Sequence, residues 1–307
     1  MNYPVDLHTH SVRSDGNDTV QELIEIAAKQ GIKAIALTDH DICPPESILV
    51  DGKRYQTIDY AREKGVILIP GIEISCDTLV EDVHIVGLGC DFSRPEMRAV
   101  EQEAAQSKVD GYQKLIALLC ENGMQIAWEE VVHGREASQV QRKHIFELMA
   151  AKGYARDWAE AKLIVRSSPN LKVKRRKFDA ALAIKWIHQA GGIAILAHPY
   201  LIDEQTNGIW GVLSREEYIE KLIYAGLDGI EASYPYGKTS YSGNLSDRQI
   251  ETEVKLRYQK RLSVISGGSD YHDDGKKGVK QPRKLGERGV SWEYFAENKL
   301  LRRFLPL

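Results

Sequence analysis

Short apolar runs alternate with amphipathic segments along most of this chain, a pattern typical of strands followed by helices. Capping boxes at residues 19–22 and 214–217 predict the first turns of two of the helices. The apolar runs predict strands over residues 4–7, 32–37, 66–69, 83–88, 193–197, 229–232 and 262–266. Pro70-Gly71 is expected to end the third of these strands just before Glu73. Such alternation indicates parallel βα units, as in a closed α/β barrel.

The alternation stops over residues 92–178. Within this stretch the pattern predicts helices over residues 95–121, 128–132, 142–152 and 157–164, and no convincing strand. We therefore expect an all-helical insertion domain, 92–178, between two segments of a barrel domain, 1–91 and 179–307. Two roles stay open for the insertion: a lid over the barrel mouth, or a satellite with no role in a site.

Histidines and carboxylates recur where the predicted strands end. Neutral imidazole and carboxylate are the ligands of zinc, manganese and iron sites. Two histidines separated by one residue in a strand project from one face, about 6–7 Å apart, and can reach one ion. The nine candidate ligands are His8, His10, Asp15, His40, Glu73, His84, His198, Asp270 and His272. One ion takes roughly four protein ligands, so this set indicates two or three ions.

A single histidine at the end of an apolar strand is more often a packed or capping residue than a ligand. Here, however, candidate ligands recur after several apolar runs, and random placement of nine histidines would rarely produce this pattern. The recurrence therefore favours metal binding. His133, His144 and His188 lie instead in helical patterns and are predicted not to bind metal.

The amino-acid composition limits which binding partners and which cellular compartment are expected for this protein. The formal net charge of −3 argues against an extended nucleic-acid surface, although it leaves room for a local basic pocket. The four cysteines lack metal or redox spacing and suit a reducing compartment. We expect no signal peptide, because a candidate ligand comes as early as His8, and no membrane span. A cytoplasmic protein is therefore expected.

The motifs together resemble the PHP (polymerase and histidinol phosphatase) family of metal-dependent phosphoesterases. The matching segments lie at residues 6–11, 14–16, 37–41, 70–75, 84–88, 197–199 and 267–272. Each segment alone is weak, but seven in order are highly specific. The helical insertion and the segments 141–144 and 226–231 resemble a branch that contains nucleoside 3′,5′-bisphosphate phosphatases and related small-molecule phosphoesterases.

This resemblance implies an α/β fold, a distorted (β/α)7 TIM-like barrel, with the helical insertion added to it. It implies about three divalent ions per chain, Mn²⁺, Fe²⁺ or Zn²⁺. His8, His10, Glu73 and Asp270 would hold the first ion. Glu73 would bridge to a second ion completed by His84 and His198, and Asp15, His40 and His272 would hold a third. All nine except His84 are also expected to be catalytic, and Asp39 is expected to orient a neighbouring ligand.

The expected reaction is hydrolysis of a small phosphate ester by a hydroxide that bridges metal ions. Three divalent ions against three carboxylates and a hydroxide leave the pocket positive by roughly two charges, which favours a phosphate dianion. Arg142 is the expected phosphate ligand by resemblance, since its planar fork suits phosphate, and Arg13 and Lys174 are further candidates. The long loops at 201–213 and 236–247 are expected to select the substrate.

Several functions compete at this point. The leading one is cleavage of a nucleotide or sugar phosphate, either the phosphomonoester of a nucleoside bisphosphate or a cyclic phosphodiester. A 5′-3′ exonuclease on short RNA or DNA is an alternative that needs an open basic and aromatic channel. A non-catalytic PHP module is disfavoured by the full ligand set. C–N hydrolysis of the amidohydrolase type fits the motifs around Asp39, His84 and Asp270 poorly.

Overall fold

The computed structural model describes residues 3–137, 140–277 and 279–306. The chain divides into two compact units: Met1–Glu101 with Phe178–Leu307, and Gln102–Lys177. The division falls inside a long helix, not at the expected boundary before it. Met97 and Val100, near the start of that helix, belong to the hydrophobic core of the first unit. That burial ties the first turns of the helix to the first unit.

All the strands of the described residues lie in the first unit. In chain order they are β1 (Val5–Thr9), β2 (Ala34–Leu37), β3 (Ser47–Val50), β4 (Lys53–Gln56), β5 (Ile67–Cys76), β6 (Val83–Leu88), β7 (Ile193–Leu196), β8 (Gln205–Gly208), β9 (Gly211–Ser214), β10 (Gly229–Ser233) and β11 (Val264–Gly267).

Seven of these strands form one sheet in the order β1-β2-β5-β6-β7-β10-β11. The two edges approach each other, because His10 N–H donates to Tyr271 C=O at 2.9 Å, and Thr9 forms a parallel bridge with Tyr271. The sheet is therefore a nearly closed barrel, which confirms the predicted TIM-like α/β fold.

One strand departs from the expected parallel arrangement. The β6 strand runs antiparallel to both of its neighbours, β5 and β7, whereas the other neighbouring pairs of the sheet are parallel. The physical reason is the connection: residues 77–82 join β5 to β6 with no crossover helix, and a parallel pairing needs a crossover. His84 therefore lies near the start of its strand, at the barrel end where the parallel strands finish.

The expected break at Pro70-Gly71 was wrong, because β5 continues through both residues to Cys76. Pro70 is the last residue paired with β2, and Gly71 is the first paired with β6. A proline, which has no N–H to donate, is tolerated where a strand changes partner. Glu73 therefore stands within a strand rather than after one.

The helices largely follow the predicted pattern. In chain order they are α1 (Val20–Gln30), α2 (Thr57–Glu63), α3 (Pro95–Glu121), α4 (Trp128–Val132), α5 (Arg142–Ala151), α6 (Trp158–Ser167), α7 (Ala180–Gln189), α8 (Arg215–Tyr224), α9 (Asp247–Tyr258) and α10 (Trp292–Glu297). Both predicted capping boxes form, with Thr19 and Ser214 as N-caps of α1 and α8. None of the helices in the described ranges is long and apolar enough to cross a membrane.

The second unit has helices and no strand within 102–137 and 140–177. Its own core joins the C-terminal half of α3 to the later helices of the unit, through apolar side chains such as Leu119, Ile145, Met149 and Ala161. Each unit therefore has a separate hydrophobic core, as expected for a domain inserted into another.

Two small hairpins were not predicted. The β3–β4 hairpin turns at Asp51-Gly52, where both residues have positive φ angles of 50° and 78°. Asp-Gly is a preferred sequence for the two-residue turn that needs this conformation, so the signal was present in the sequence. The β8–β9 hairpin occupies most of the predicted long loop at 201–213.

Closure of the barrel depends on the absence of a side chain at Gly268. A Cβ atom there would lie against the Cβ of His8 and 2.6 Å from its backbone nitrogen. We expect Gly268→Ala to lower the free energy of unfolding by about 1–3 kcal/mol or more, because overpacking forces β1 and the segment after β11 apart. Denaturant unfolding followed by circular dichroism measures the change.

Gly111→Ala is the matched control. The nearest atoms to a Cβ at Gly111 lie 4.0 Å away, and the residue is inside α3. That substitution should leave stability unchanged or raise it by about 0.5–1 kcal/mol, since alanine favours a helix interior. Equal effects of the two substitutions would contradict the close approach at Gly268.

Candidate metal centre

The fold gathers all nine candidate ligands at one end of the barrel. Most of them lie at or just beyond the C-terminal ends of β1, β2, β7 and β11. His84 reaches the same end because β6 is antiparallel. Glu73 reaches it because β5 runs beyond the end of β2, and His40 forms a parallel bridge beside Glu73. Side chains distant in sequence thus meet at the place where barrel enzymes carry their chemistry.

Glu73 lies at the centre of the group and is only 1% exposed. Its Oε2 atom lies 3.2 Å from Nε2 of His8, 3.2 Å from Nε2 of His10 and 3.1 Å from Nδ1 of His40. Its Oε1 atom lies 3.0 Å from Nδ1 of His84 and 3.0 Å from Nε2 of His198. One carboxylate therefore contacts imidazoles on both of its oxygens, which is the arrangement of a bridging ligand.

Asp270 and Asp15 extend the group on one side. Oδ1 of Asp270 lies 3.0 Å from Nε2 of His10 and 3.4 Å from Nδ1 of His272. Oδ1 of Asp15 lies 2.9 Å from Nε2 of His272. His272 thus links the buried Asp270 to the more exposed Asp15.

The donor atoms fit metal ions. Among the described residues, five buried nitrogen or oxygen atoms of the group have no hydrogen-bond partner: Nε2 of His8, Nε2 of His10, Nδ1 of His40, Nδ1 of His198 and Oε2 of Glu73. Buried polar atoms are nearly always paired, so such a concentration calls for an explanation. Three of the nitrogens, those of His8, His10 and His40, lie 3.1–3.2 Å from the fifth atom, Oε2 of Glu73. Imidazole nitrogens and carboxylate oxygens in this arrangement are donors suited to divalent ions.

Three groups of donors lie close enough to share an ion, with their ligand atoms all within 4.8 Å of one another. They are His8, His10, Glu73 and Asp270; His10, Asp15, His40 and His272; and His40, Glu73 and His84. The first group has the same members as the first predicted set. His198 falls outside the three groups, although its Nε2 lies 3.3 Å from Nδ1 of His84.

Burial and neighbouring charges shift the pKa values of the side chains in this group. Burial alone would lower the pKa of His10, but the adjacent Asp270 and Glu73 carboxylates raise it to about 10. Burial and neighbouring histidines lower the pKa of His40 to about 4, despite Glu73. Burial would raise the pKa of Glu73, yet the surrounding histidines hold it well below its usual range. Glu73 is therefore kept ionised, as a carboxylate that binds metal must be.

Two ligand candidates have strained backbones. His198 has a φ of 29° and Asp270 a φ of 48°, both in the region that favours glycine. Such conformations cost about 1–3 kcal/mol each and persist where surrounding contacts fix them. At His198 the fixing contact is Glu231, whose Oε2 accepts the backbone N–H at 2.9 Å. The strain thus turns an imidazole toward the centre at the expense of local stability.

Sequence reasoning missed several side chains that hold the ligands in place. Glu231 is 2% exposed, and both its oxygens lie 3.3 Å from Nδ1 of His8, so it fixes that ring. Asp6 accepts hydrogen bonds from the backbone N–H groups of Ser269 and Gly286 and ties β1 to the segment after β11. Burial raises the pKa of Asp6 to about 6 against these hydrogen bonds. The signal for Glu231 was a charge inside the apolar strand β10.

Asp39 has the geometry of the expected orienting residue. Its Oδ1 accepts hydrogen bonds from Ser11 N–H at 2.8 Å and from the Ser14 hydroxyl at 2.6 Å, and Oδ2 accepts one from the Ser11 hydroxyl. The Ser14 oxygen lies 3.4 Å from Nδ1 of His10. Asp39 therefore shapes the turn that carries His10 and Asp15.

The second oxygen of Asp270 has partners that the sequence did not reveal. Oδ2 accepts a hydrogen bond from the Tyr234 hydroxyl at 2.7 Å and pairs with Nη1 of Arg283. Tyr234 follows β10, and Arg283 lies in an irregular segment after β11. The Arg283 segment carries no recognisable motif, so no pattern in the sequence pointed to it.

A cavity of about 370 Å³ lies beside the centre, and seven of the nine candidate ligands line it. The remaining lining includes Lys238, Thr239 and Ser240 from the predicted 236–247 loop, together with Arg283. The loop therefore lines the same cavity as the ligands, although the sequence did not predict which of its residues do so.

The predicted substrate-binding residues are all exposed. The Arg13 Nη2 donates to the carbonyl of Cys43 at 3.1 Å. Arg142 begins α5 and Lys174 follows α6, both in the second unit.

Two of the histidines predicted not to bind metal have other partners. His188 pairs with Asp228 at 2.8 Å, and Nδ1 of His144 accepts the backbone N–H of Gln141.

Comparison with known proteins gives consistent matches. Residues 6–178 match the PHP domain family. A 5′-3′ exoribonuclease of Haemophilus influenzae is 33% identical over 277 residues, covering 89% of this chain and 91% of that protein. A phosphoribosyl 1,2-cyclic phosphate 1,2-diphosphodiesterase of Eggerthella lenta is 29% identical, covering 87% of this chain and 93% of that protein. A 3′,5′-nucleoside bisphosphate phosphatase of Chromobacterium violaceum is 27% identical, covering 89% of each chain.

Solved structures match over nearly the whole chain. A crystal structure from Bifidobacterium adolescentis has a TM-score of 0.69 at 24% identity, covering 99% of this chain and 97% of its own, and so shares the fold. A structure described as an amidohydrolase from Chromobacterium violaceum, with sulfate bound and no metal, has a TM-score of 0.66 at 26% identity and covers 94% of this chain and 92% of its own.

We expect elemental analysis of protein from manganese-supplemented medium to find about three metal ions per chain, since each ion takes roughly four ligands and Glu73 can be shared. Glu73→Gln should lower that number to about one or less, because it removes the shared charge while keeping the side-chain volume.

His188→Gln is the matched control, since His188 pairs with Asp228 outside the centre. It should leave the metal content at the wild-type value. Wild-type protein that holds less than one ion per chain after metal loading would refute the multinuclear centre.

Proposed function

Because this chain belongs to the PHP domain family and is a metal-dependent phosphoesterase, we propose that it hydrolyses a small phosphate ester. The substrate is either the phosphomonoester of a nucleoside bisphosphate or a cyclic phosphodiester of a sugar or nucleotide. The observation that carries the proposal is the cavity of about 370 Å³, which is lined by candidate metal ligands and by residues of the 236–247 loop. This volume is near the lower end of the range for small-molecule pockets, about 300–1,000 Å³.

Divalent ions held by the nine ligands would activate water as the nucleophile and neutralise charge on the phosphate. The side chains of the centre have distinct roles. Glu73 and Asp270 are buried carboxylates that draw the histidines together, and Glu231 fixes the ring of His8. Burial strengthens the attraction of these carboxylates for divalent ions and for the histidines, and the ions would in turn attract the phosphate.

The start of the 236–247 loop supports recognition of the non-reacting part of the substrate. Lys238, Thr239 and Ser240 line the cavity beside the ligands. The Thr239 hydroxyl donates to the carbonyl of Tyr236 at 2.9 Å, and the Lys238 ammonium contacts Glu287 at 2.5 Å. These contacts hold the start of the loop in place, as a specificity element requires.

Two relatives support a small substrate by their names. One is named for a cyclic phosphate diester of a phosphorylated ribose, and the other for nucleoside bisphosphates. Both are compact polyanions that carry a phosphate ester on a sugar. The same cavity and metal chemistry suit either type, so the cyclic diester and the bisphosphate stay as alternatives within the proposal.

A 5′-3′ exoribonuclease is the second candidate. It is favoured by the 33% identity to the Haemophilus influenzae exoribonuclease over most of both chains. A single-strand nuclease needs a basic track with stacking aromatics that extends beyond the cleavage site. The formal net charge of −3 supplies no excess of basic residues for such a track.

We predict that kcat/KM on mononucleotide-sized cyclic or bisphosphorylated esters exceeds that on oligonucleotides of about five or more nucleotides, because the cavity has the volume of a small-molecule pocket. Released phosphate and products separated by chromatography measure both reactions. Glu73→Gln protein serves as the inactive control for contaminating nucleases. Equal or faster turnover of oligonucleotides, with release of mononucleotides, would favour the exonuclease.

We also propose Arg142 as a substrate ligand. Arg142→Ala should leave the metal content intact and lower kcat/KM by about ten- to several-hundred-fold, since a charge-assisted phosphate contact is lost. Lys143→Ala, the neighbouring exposed cation on α5, is the control and should retain activity. Unchanged kinetics of Arg142→Ala would assign Arg142 to the ordinary protein surface.

A further inference from the structure

Arg283 reaches the cavity from a segment with no assigned role. The segment follows β11 and the last two candidate ligands, Asp270 and His272. Among the described residues that line the cavity, Arg283 is the only arginine. Its side chain is 15% exposed, so it is largely enclosed while still facing the space beside the ligands.

Two carboxylates fix the plane of the Arg283 guanidinium. Nε donates to Oδ2 of Asp274 at 2.7 Å and Nη2 donates to Oδ1 of Asp274 at 3.3 Å, which is a side-on bidentate pair. Nη1 donates to Oδ2 of Asp270. Each Nη nitrogen carries two N–H groups and uses one in these contacts, so each keeps one for a ligand.

The backbone that carries Arg283 is held on both sides. The Lys238 ammonium donates to the carbonyl of Pro282 at 3.0 Å and to the carboxylate of Glu287 at 2.5 Å. The next residues are fixed by Asp6, which accepts the N–H of Gly286 at 2.8 Å. These contacts pre-organise the arginine, and a pre-organised donor stabilises developing charge without reorganising.

A role limited to holding Asp270 does not account for this arrangement. Oδ2 of Asp270 already accepts a hydrogen bond from the Tyr234 hydroxyl. Oδ1 of Asp270 faces His10 at 3.0 Å, whereas Arg283 contacts Oδ2 of the same carboxylate and also lines the cavity. A group that lies on a metal-binding carboxylate and also lines the cavity is within reach of a phosphate bound at the metals.

We propose that Arg283 is a catalytic residue that binds the phosphoryl group undergoing hydrolysis. Its free N–H groups donate to non-bridging phosphoryl oxygens and stabilise the charge that these oxygens carry in the transition state. Water forms the new P–O bond, the ester P–O bond breaks, and the proton that the water loses goes to the departing alkoxide oxygen through solvent, so Arg283 neither gains nor loses a proton. This inference rests on the phosphoesterase activity and holds for a monoester, a cyclic diester or an oligonucleotide.

The test measures binding of inorganic phosphate to metal-loaded protein by titration calorimetry, with metal content determined on the same samples. We expect Arg283→Ala to load metal as the wild type does and to bind phosphate about ten- to a hundred-fold more weakly. Arg283→Lys should recover only part of that loss, because an ammonium cannot form the fork. The test measures phosphate binding and needs no turnover of a substrate. It can therefore be interpreted even if the proposed substrate proves wrong.

Arg261→Ala is the matched control. Arg261 is also held by a carboxylate, that of Glu220, but it does not line the cavity. It should leave phosphate affinity and metal content unchanged. Unchanged phosphate affinity in loaded Arg283→Ala protein, or failure of that variant to load metal, would overturn the proposal and assign Arg283 to holding Asp270. If the alanine variant does not fold, Arg283→Lys is judged by the same two measurements.

Discussion

The burial of Glu73 is the constraint on which the rest of this structure depends. An ionised carboxylate that is 1% exposed is costly unless positive charge or strong donors surround it. Here five imidazoles approach its two oxygens. They come from β1 and the residue after it, from beyond β2 and β7, and from β6. No local segment supplies such a set, so the nearly closed barrel is needed to assemble it.

The side chains behind the ligands show how the barrel meets this constraint. Glu231 on β10 contacts both the ring of His8 and the strained backbone of His198. Asp6 on β1 holds the segment after β11, and Asp39 holds the turn that carries His10. Each is a buried carboxylate whose hydrogen bonds join two parts of the centre. The strained backbone and the buried charges at this end of the barrel lower the stability of the fold. In return, they fix the positions of the donor atoms.

The candidate ligands share one cavity with parts of the chain that carry no metal-ligand motif. Seven of the ligands line it together with residues of the 236–247 loop and Arg283. The ligand motifs match the PHP domain family, whereas loops are where related barrels differ in substrate. Relatives with names as different as a bisphosphatase, a cyclic phosphodiesterase and an exoribonuclease match most of this chain.

The sequence by itself determined the strand and helix alternation, the caps at Thr19 and Ser214 and the identity of the candidate ligands. These depend on local chemistry: apolar periodicity, hydrogen bonds within one turn, and side chains that can donate to a metal. Only the tertiary structure decided the antiparallel direction of β6, the passage of β5 through Pro70 and the contacts of Glu231 and Arg283. Those features arise from contacts between residues far apart in the chain, such as His8 with Glu231, and no local pattern encodes which distant partner a buried charge will meet.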